Sequence, residues 1–241
     1  MNEIFNQMMS LYRREGADGE RNALYEVMQQ IVLCGLYRGG FFNEAAFYGG
    51  TCLRIFYGLK RYSEDMDFSL LTKNPDFSLE KYFPAIIEEA RLLGRDIVIT
   101  KKDKENFSRV ESAFLKDNTD VYNLTFATDK TLKIKIEVDI DPPLGFKTEQ
   151  KLLMLPFSFN TRCMVPSDLY AGKMHALVFR QWKNRIKGRD WYDFEWYVRN
   201  RIPLDFKHLQ ERAREFNNIE LSKDDFVRML KERFAKADIR Q

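Results

Sequence analysis

Along residues 21–38, apolar side chains fall at Leu24, Val27, Met28, Ile31 and Leu36, the three-and-four spacing of an amphipathic helix. Gly39-Gly40 ends it, since glycine tolerates the left-handed cap. Residues 45–48 form a short apolar run that predicts a strand breaking at Gly49-Gly50, and residues 51–57 predict a short helix closed by Gly58. Residues 65–71 alternate polar and apolar, the period of a strand with one face buried. Residues 79–93 read as a further helix ending at Gly94. From 97 to 141 the pattern shifts to short β-prone runs around Val98, 107–110, 121–128 and 132–140, which predict an antiparallel meander stopped by Pro142-Pro143. Residues 156–165 add one more extended piece. Beyond Pro166 the periodicity is helical, over 167–187, 191–200, 205–217 and 222–235. The expected fold class is α/β (α+β): a mixed sheet core with an N-terminal helix over 1–165, then a helical C-terminal region over 166–241 that completes the site.

Composition narrows the chemistry. Of 241 residues, 44% are apolar and 31% charged, and 20 Phe with 11 Tyr supply a large aromatic core. No apolar run approaches the roughly 20 residues a membrane helix needs, and no signal-peptide pattern opens the chain. The three cysteines, Cys34, Cys52 and Cys163, are scattered without a CxxC pair, as expected of thiols in the reducing cytoplasm. With only two histidines, His175 and His208, an imidazole-based zinc site or a Ser-His-Asp triad is nearly excluded. Carboxylates and cations remain, and carboxylate oxygens suit a hard ion such as Mg²⁺. The net charge of +3 is uneven: residues 173–189 carry Lys173, Arg180, Lys183, Arg185, Lys187 and Arg189 with no acid among them. Such a run attracts a polyanion, or is simply a solvated helix face.

Three features carry chemistry. Gly49-Gly50-Thr51, between a strand and a helix, lets the backbone approach a ligand closely and offers free amides at a helix N-terminus, a phosphate seat as well as a plain turn. Asp65 and Asp67, two apart on a strand, project to one face while Met66 and Phe68 face the core; adjacent carboxylates repel unless a cation sits with them. In Lys133-Ile134-Lys135-Ile136-Glu137-Val138-Asp139 the charged residues share one face. Pairing beside the Asp65–Asp67 strand would bring in a third carboxylate, Glu137 first and Asp139 in reserve. Each alone has an ordinary structural reading; in this order they match a phosphate turn followed by a metal cluster holding one or two Mg²⁺.

The run Phe47-Tyr48-Gly49-Gly50-Thr51-Cys52-Leu53-Arg54, continued by Arg61-Tyr62-Ser63-Glu64-Asp65-Met66-Asp67-Phe68, resembles the first motif of the AbiEii/AbiGii toxin nucleotidyltransferases. Lys135-Ile136-Glu137 resembles the second, Lys173 within Ala171–Leu177 the third, and Gly188-Arg189-Asp190-Trp191-Tyr192-Asp193 the fourth, so the likeness spans about 45–200. The resemblance implies a nucleotidyltransferase fold and the transfer of a nucleoside monophosphate from an NTP to an acceptor. It implies Asp65, Asp67, Glu137, Lys173 and Asp190 as catalytic residues, with metal on Asp65, Asp67 and Glu137 or Asp139. Nucleotide contacts would fall to Gly49, Gly50, Thr51, Arg54, Ser63 and Lys173, with Arg61 an alternative to Arg54. It further implies the toxin of a toxin–antitoxin or phage-defence pair, with a cognate antitoxin and RNA, tRNA in particular, as acceptor. Transfer to a protein hydroxyl, or a non-catalytic nucleotide- or RNA-binding module, are the competing expectations.

Overall fold

The computed structural model describes residues 2–101, 119–126, 132–180 and 188–236. The strand expected at 107–110 and the basic residues Lys183, Arg185 and Lys187 lie outside the described residues. The chain divides into two compact units, one of residues 1–142 and 149–163, the other of 143–148 and 164–241.

The first unit is a seven-stranded mixed sheet with four helices among the described residues. The helices are α1 (Glu3–Ser10), α2 (Gly16–Arg38), α3 (Gly49–Tyr57) and α4 (Phe83–Leu92). The strands are β1 (Ala45–Tyr48), β2 (Asp65–Leu70), β3 (Ile97–Lys101), β4 (Thr119–Phe126), β5 (Leu132–Asp139), β6 (Thr148–Leu153) and β7 (Phe159–Met164), in the order β3-β4-β5-β2-β1-β7-β6. The meander β3-β4-β5 is antiparallel, as the sequence predicts, but β5 then joins β2 in parallel and β1 runs antiparallel to β2. That places β2 at the centre of the sheet, beside β5, which also carries alternating charges.

Two elements were not legible in the pattern. The polar first residues form α1, capped by the Asn2 side chain on the amides of Ile4 and Phe5, and Phe5, Met8 and Met9 are buried. Strand β6 is an edge strand, Thr-Glu-Gln-Lys-Leu-Leu, with no residue fully buried, so it lacks the apolar alternation of a covered strand. The helix expected at 79–93 divides into a 3₁₀ turn over Leu79–Tyr82 and α4, which restarts where Pro84 suits a first turn.

The central strand is fixed from its apolar face. Met66 and Phe68 are fully buried, and the Phe68 ring meets Phe47 at 4.9 Å and Phe41 at 5.0 Å between centroids, while Phe41 meets Tyr82 at 5.1 Å. Each such ring contributes roughly 1.5–3 kcal/mol by burial, and each favourable ring pair about 0.5–1.5 kcal/mol more. This aromatic cluster sets the register in which Asp65 and Asp67 point the other way.

The second unit is helical: α5 (Pro166–Phe179), α6 (Gly188–Arg199), α7 (Phe206–Asn217) and α8 (Lys223–Lys236). Its core includes Leu169, Met174, Leu177, Leu209 and Ala213, with Tyr170 stacked on Tyr197 at 4.4 Å. No helix among the described residues is long and apolar enough to cross a membrane.

Candidate active site

The turn from β1 into α3 is built against the acidic strand. Gly49 has φ +80°, and a Cβ there would collide with the Asp67 carboxylate, so only glycine admits both the backbone and the acid. A Cβ on Gly50 would lie 2.8 Å from Arg61 Nη2 and 3.0 Å from Ser63 Oγ. The glycine pair therefore touches Asp67 on one side and the Arg61–Ser63 segment on the other. Thr51, also expected at the nucleotide, is fully buried, and its hydroxyl donates to the Asp65 carbonyl, tying α3 to β2.

Strands β2 and β5 pair in parallel with Asp65 level with Lys135, Asp67 with Glu137 and Ser69 with Asp139. Laterally paired residues of a sheet share a face, so Asp65, Asp67, Lys135 and Glu137 form one charged patch. Lys135 Nζ makes an ion pair with Glu137. Burial would push the Lys135 ammonium down, but Glu137 first, then Asp65 and Asp67, hold it above its ordinary value. Burial deepens along β5: the side chains of Lys135 and Glu137 are 32% and 22% exposed, whereas Asp139 is buried at 8%. Asp139 Oδ1 also accepts from the Asp141 amide at 3.3 Å. Of the two carboxylates, Glu137 is the one level with Asp67 and the more open.

Arg54 is committed to the scaffold. Its Nε lies 2.7 Å from Glu26 Oε2, its Nη1 donates to the carbonyls of Leu59 (3.2 Å) and Lys60 (3.0 Å), and its guanidinium stacks 4.2 Å from the Tyr62 ring centroid. Gln29, one turn after Glu26 on α2, donates to the carbonyls of Ser63 (2.9 Å) and Glu64 (3.1 Å). Glu26 and Gln29 are both buried. The segment leading into Asp65 is thus clamped by α2 and α3. Sequence reading missed Glu26 and Gln29, although two buried polar residues three apart on an otherwise apolar face were a usable signal.

In the second unit Lys173 on α5 bridges two acids of α6, with Nζ 2.9 Å from Asp190 Oδ1 and 2.8 Å from Asp193 Oδ2. Both acidic side chains are essentially buried, at 1% and 0% exposure. Arg180 Nη1 stands 3.7 Å from Asp190 Oδ2. Burial alone would raise the Asp190 carboxyl; Lys173, then Arg180 and Arg189, outweigh it and hold it below the usual range. Of the basic stretch 173–189, the described part supplies this cluster.

A protein-family model described as Nucleotidyl transferase AbiEii toxin, Type IV TA system, matches residues 31–241. The chain belongs to the AbiEii nucleotidyltransferase toxin family. It is accordingly a nucleotidyltransferase of a family of type IV toxin–antitoxin toxins, a class that implies an NTP substrate and an antitoxin partner. The fold is similar to that of MenT4, a nucleotidyltransferase toxin from Mycobacterium tuberculosis H37Rv, at 16% identity and TM-score 0.56, with 96% of this chain and 87% of that one covered. It is also similar to JHP933 from Helicobacter pylori, at 18% identity and TM-score 0.52, with 91% and 83% covered. No curated protein matches the chain.

AbiEii-family chemistry implies a divalent metal, and the donor set on β2 and β5 suits one. The donors are carboxylate oxygens, which hard cations prefer, and they already gather around a cation, the Lys135 ammonium. Among the described residues no group of three Asp, Glu, His or Cys side chains is arranged to hold a metal ion as it stands. Glu137 is ion-paired with Lys135, two residues away on the same strand.

Proposed function

We propose that this AbiEii-family enzyme transfers a nucleoside monophosphate from an NTP to RNA, tRNA in particular, with Mg²⁺ held by Asp65, Asp67 and Glu137. The observation that carries the reading is the in-register pairing of Asp65 and Asp67 with Lys135 and Glu137, directly beside a glycine turn that only a missing Cβ permits. When bound, Mg²⁺ would neutralise phosphate charge and stabilise the departing pyrophosphate. The chain's own groups do the rest. The first amides of α3 and the positive end of its dipole receive phosphate oxygens at Gly49-Gly50. Arg61 and Ser63, against Gly50, contact the triphosphate, whereas Arg54 serves by holding the segment that carries them. Lys173 presents its ammonium to the nucleotide from a mount of two buried carboxylates, so that Asp190 acts by orienting it. An acceptor hydroxyl oxygen attacks the α-phosphorus, the bond from that phosphorus to the β-bridging oxygen breaks, and pyrophosphate leaves with the electron pair while the hydroxyl proton passes to solvent.

RNA is favoured as acceptor by the basic stretch 173–189, which suits a phosphate backbone. The test is purified protein with Mg²⁺, each α-³²P-labelled NTP in turn and total bacterial RNA, against the Asp65→Ala/Asp67→Ala double variant. Label on RNA with the wild type alone is the expected result. Label on protein replaces the acceptor, and no transfer to either with nucleotide binding intact replaces catalysis by a binding role.

A further inference from the structure

The second motif of this chain places a lysine where a metal-binding strand would otherwise hold only acids, and the proposed function gives that lysine no task. Three carboxylates on two neighbouring strands repel one another at close range. Lys135 answers that repulsion in the protein as it stands. It lies level with Asp65, is bonded to Glu137 and feels the charge of Asp67. Its side chain is one-third exposed, so its ammonium can leave for solvent without abandoning a buried partner. An internal cation thus already neutralises part of the acidic cluster, and an entering cation would compete with it for Glu137.

We propose that Lys135 is a positioning residue that works by exchange: its ammonium holds the seat beside Glu137, Asp65 and Asp67 before the metal arrives and yields it to the divalent ion. The idea rests on the metal reading above. It deepens that reading by making metal affinity a competition. With Lys135 in place the three acids keep their spacing without metal, and the ion that enters must displace a unit positive charge. Metal binding is weakened by that competition, so the site loads fully only when an NTP brings further negative charge to the metal.

The consequence is opposite in sign to that of a ligand lysine. Removing the charge while keeping the length of the chain, as in Lys135→Met, should tighten Mn²⁺ binding by on the order of tenfold to a hundredfold, the effect of deleting a unit charge about 4–6 Å from the ion in a partly solvated site. Lys135→Arg, which keeps the charge, should stay within a few-fold of wild type. The assay is Mn²⁺ titration followed by electron paramagnetic resonance of the free ion, without nucleotide, on the full chain. The melting temperature is read in parallel: Lys135→Met should melt lower than wild type without metal and gain more on adding Mn²⁺.

A second readout needs no variant protein to fold. In wild-type protein labelled with ¹⁵N at lysine Nζ, the ion-paired ammonium signal of Lys135 should move to a solvent-exposed position on saturation with Mg²⁺. If Mn²⁺ binds wild type and is lost in Asp65→Ala/Asp67→Ala, but Lys135→Met binds it equally or more weakly, the exchange is overturned and the metal reading survives. An ammonium signal unmoved by saturating Mg²⁺ overturns it too. If wild type binds no Mn²⁺ with or without NTP, the metal reading fails and takes the exchange with it.

Discussion

Gly49 and Gly58 offer a matched pair of perturbations that separates backbone strain from the geometry of the acidic strand. Both are left-handed, at φ +80° and +81°, so alanine at either pays the same conformational penalty, roughly 1–2 kcal/mol. In a chain of this length that corresponds to a fall in melting temperature of about 2–4 °C per kcal/mol. They differ in what the new methyl meets. Around Gly58 there is nothing within 4 Å, whereas at Gly49 the methyl runs into the Asp67 carboxylate. Asp67 must then leave its rotamer, at a further cost of about 0.5–1.5 kcal/mol. It also leaves the position level with Glu137, and a displacement of about 1 Å at a reacting site can cost on the order of 100-fold in rate. The expected outcome is that Gly58→Ala melts a few degrees lower and transfers nucleotide at close to the wild-type rate. Gly49→Ala should melt lower still, bind Mn²⁺ more weakly and lose about two orders of magnitude in transfer. Scanning calorimetry, Mn²⁺ titration and the labelled-NTP assay read these three quantities. Equal activity in the two variants would refute the argument, because it would mean that the Asp67–Gly49 contact has no bearing on the chemistry.

Three further outcomes follow from the same geometry. Arg61→Ala should raise the KM for NTP about tenfold, while Arg54→Ala should lose about 3 kcal/mol of stability, since it takes the cation from the buried Glu26 and leaves that carboxylate the Tyr12 hydroxyl; calorimetry with steady-state kinetics distinguishes the two arginines. Gln29→Leu leaves the carbonyls of Ser63 and Glu64 without their donor and should cost about 1–3 kcal/mol, lowering kcat more than it changes KM. His208 is buried, with neither ring nitrogen hydrogen-bonded, and burial, helped by Arg212, lowers it to about 4. The unfolded imidazole takes a proton near pH 6.5 and the folded one near 4, so this stability is complete above about pH 6.5 and is lost as the pH falls towards 4, by up to about 3 kcal/mol. His208→Leu should flatten that slope in a urea titration run at several pH values, and an unchanged slope would place the titration elsewhere.

What the sequence revealed and what it hid have a common physical basis. Strand β2 was legible because Met66 and Phe68 are driven into the core, which forces Asp65 and Asp67 outward at a period of two. Its pairing with β5 was anticipated for the same reason, since both strands alternate charge with apolar side chains. Register was beyond reach. Whether Glu137 or Asp139 stands level with Asp67 depends on a one-step choice between equivalent alternations, and burial at the end of β5 decides it. The arginines were hidden for another reason. Arg54 and Arg61 both flank the glycine turn in sequence, but Arg54 lies on α3, where it can reach a buried Glu26 on a helix more than a turn's length of chain away. A long-range ion pair leaves no local pattern to read. Strand β6, exposed on an edge, leaves none either.

Lys135 and Lys173 are both held by carboxylates, and burial gives them opposite roles. Around Lys173 the partners are buried at 1% and 0% exposure, so withdrawing the ammonium would take their shared cation from two buried carboxylates, and breaking such a pair typically costs about 3–5 kcal/mol. Lys173 is therefore a fixed post: whatever it touches must come to it, and Asp190 and Asp193 keep it charged and oriented meanwhile. Around Lys135 the partner Glu137 is 22% exposed and the lysine itself 32%, so solvent can take up either charge if the pair opens. There the cation can be traded. The same chemistry, an ammonium between acids, thus supplies a stationary charge in one unit and a replaceable one in the other, and the difference rests on how much water each carboxylate has kept.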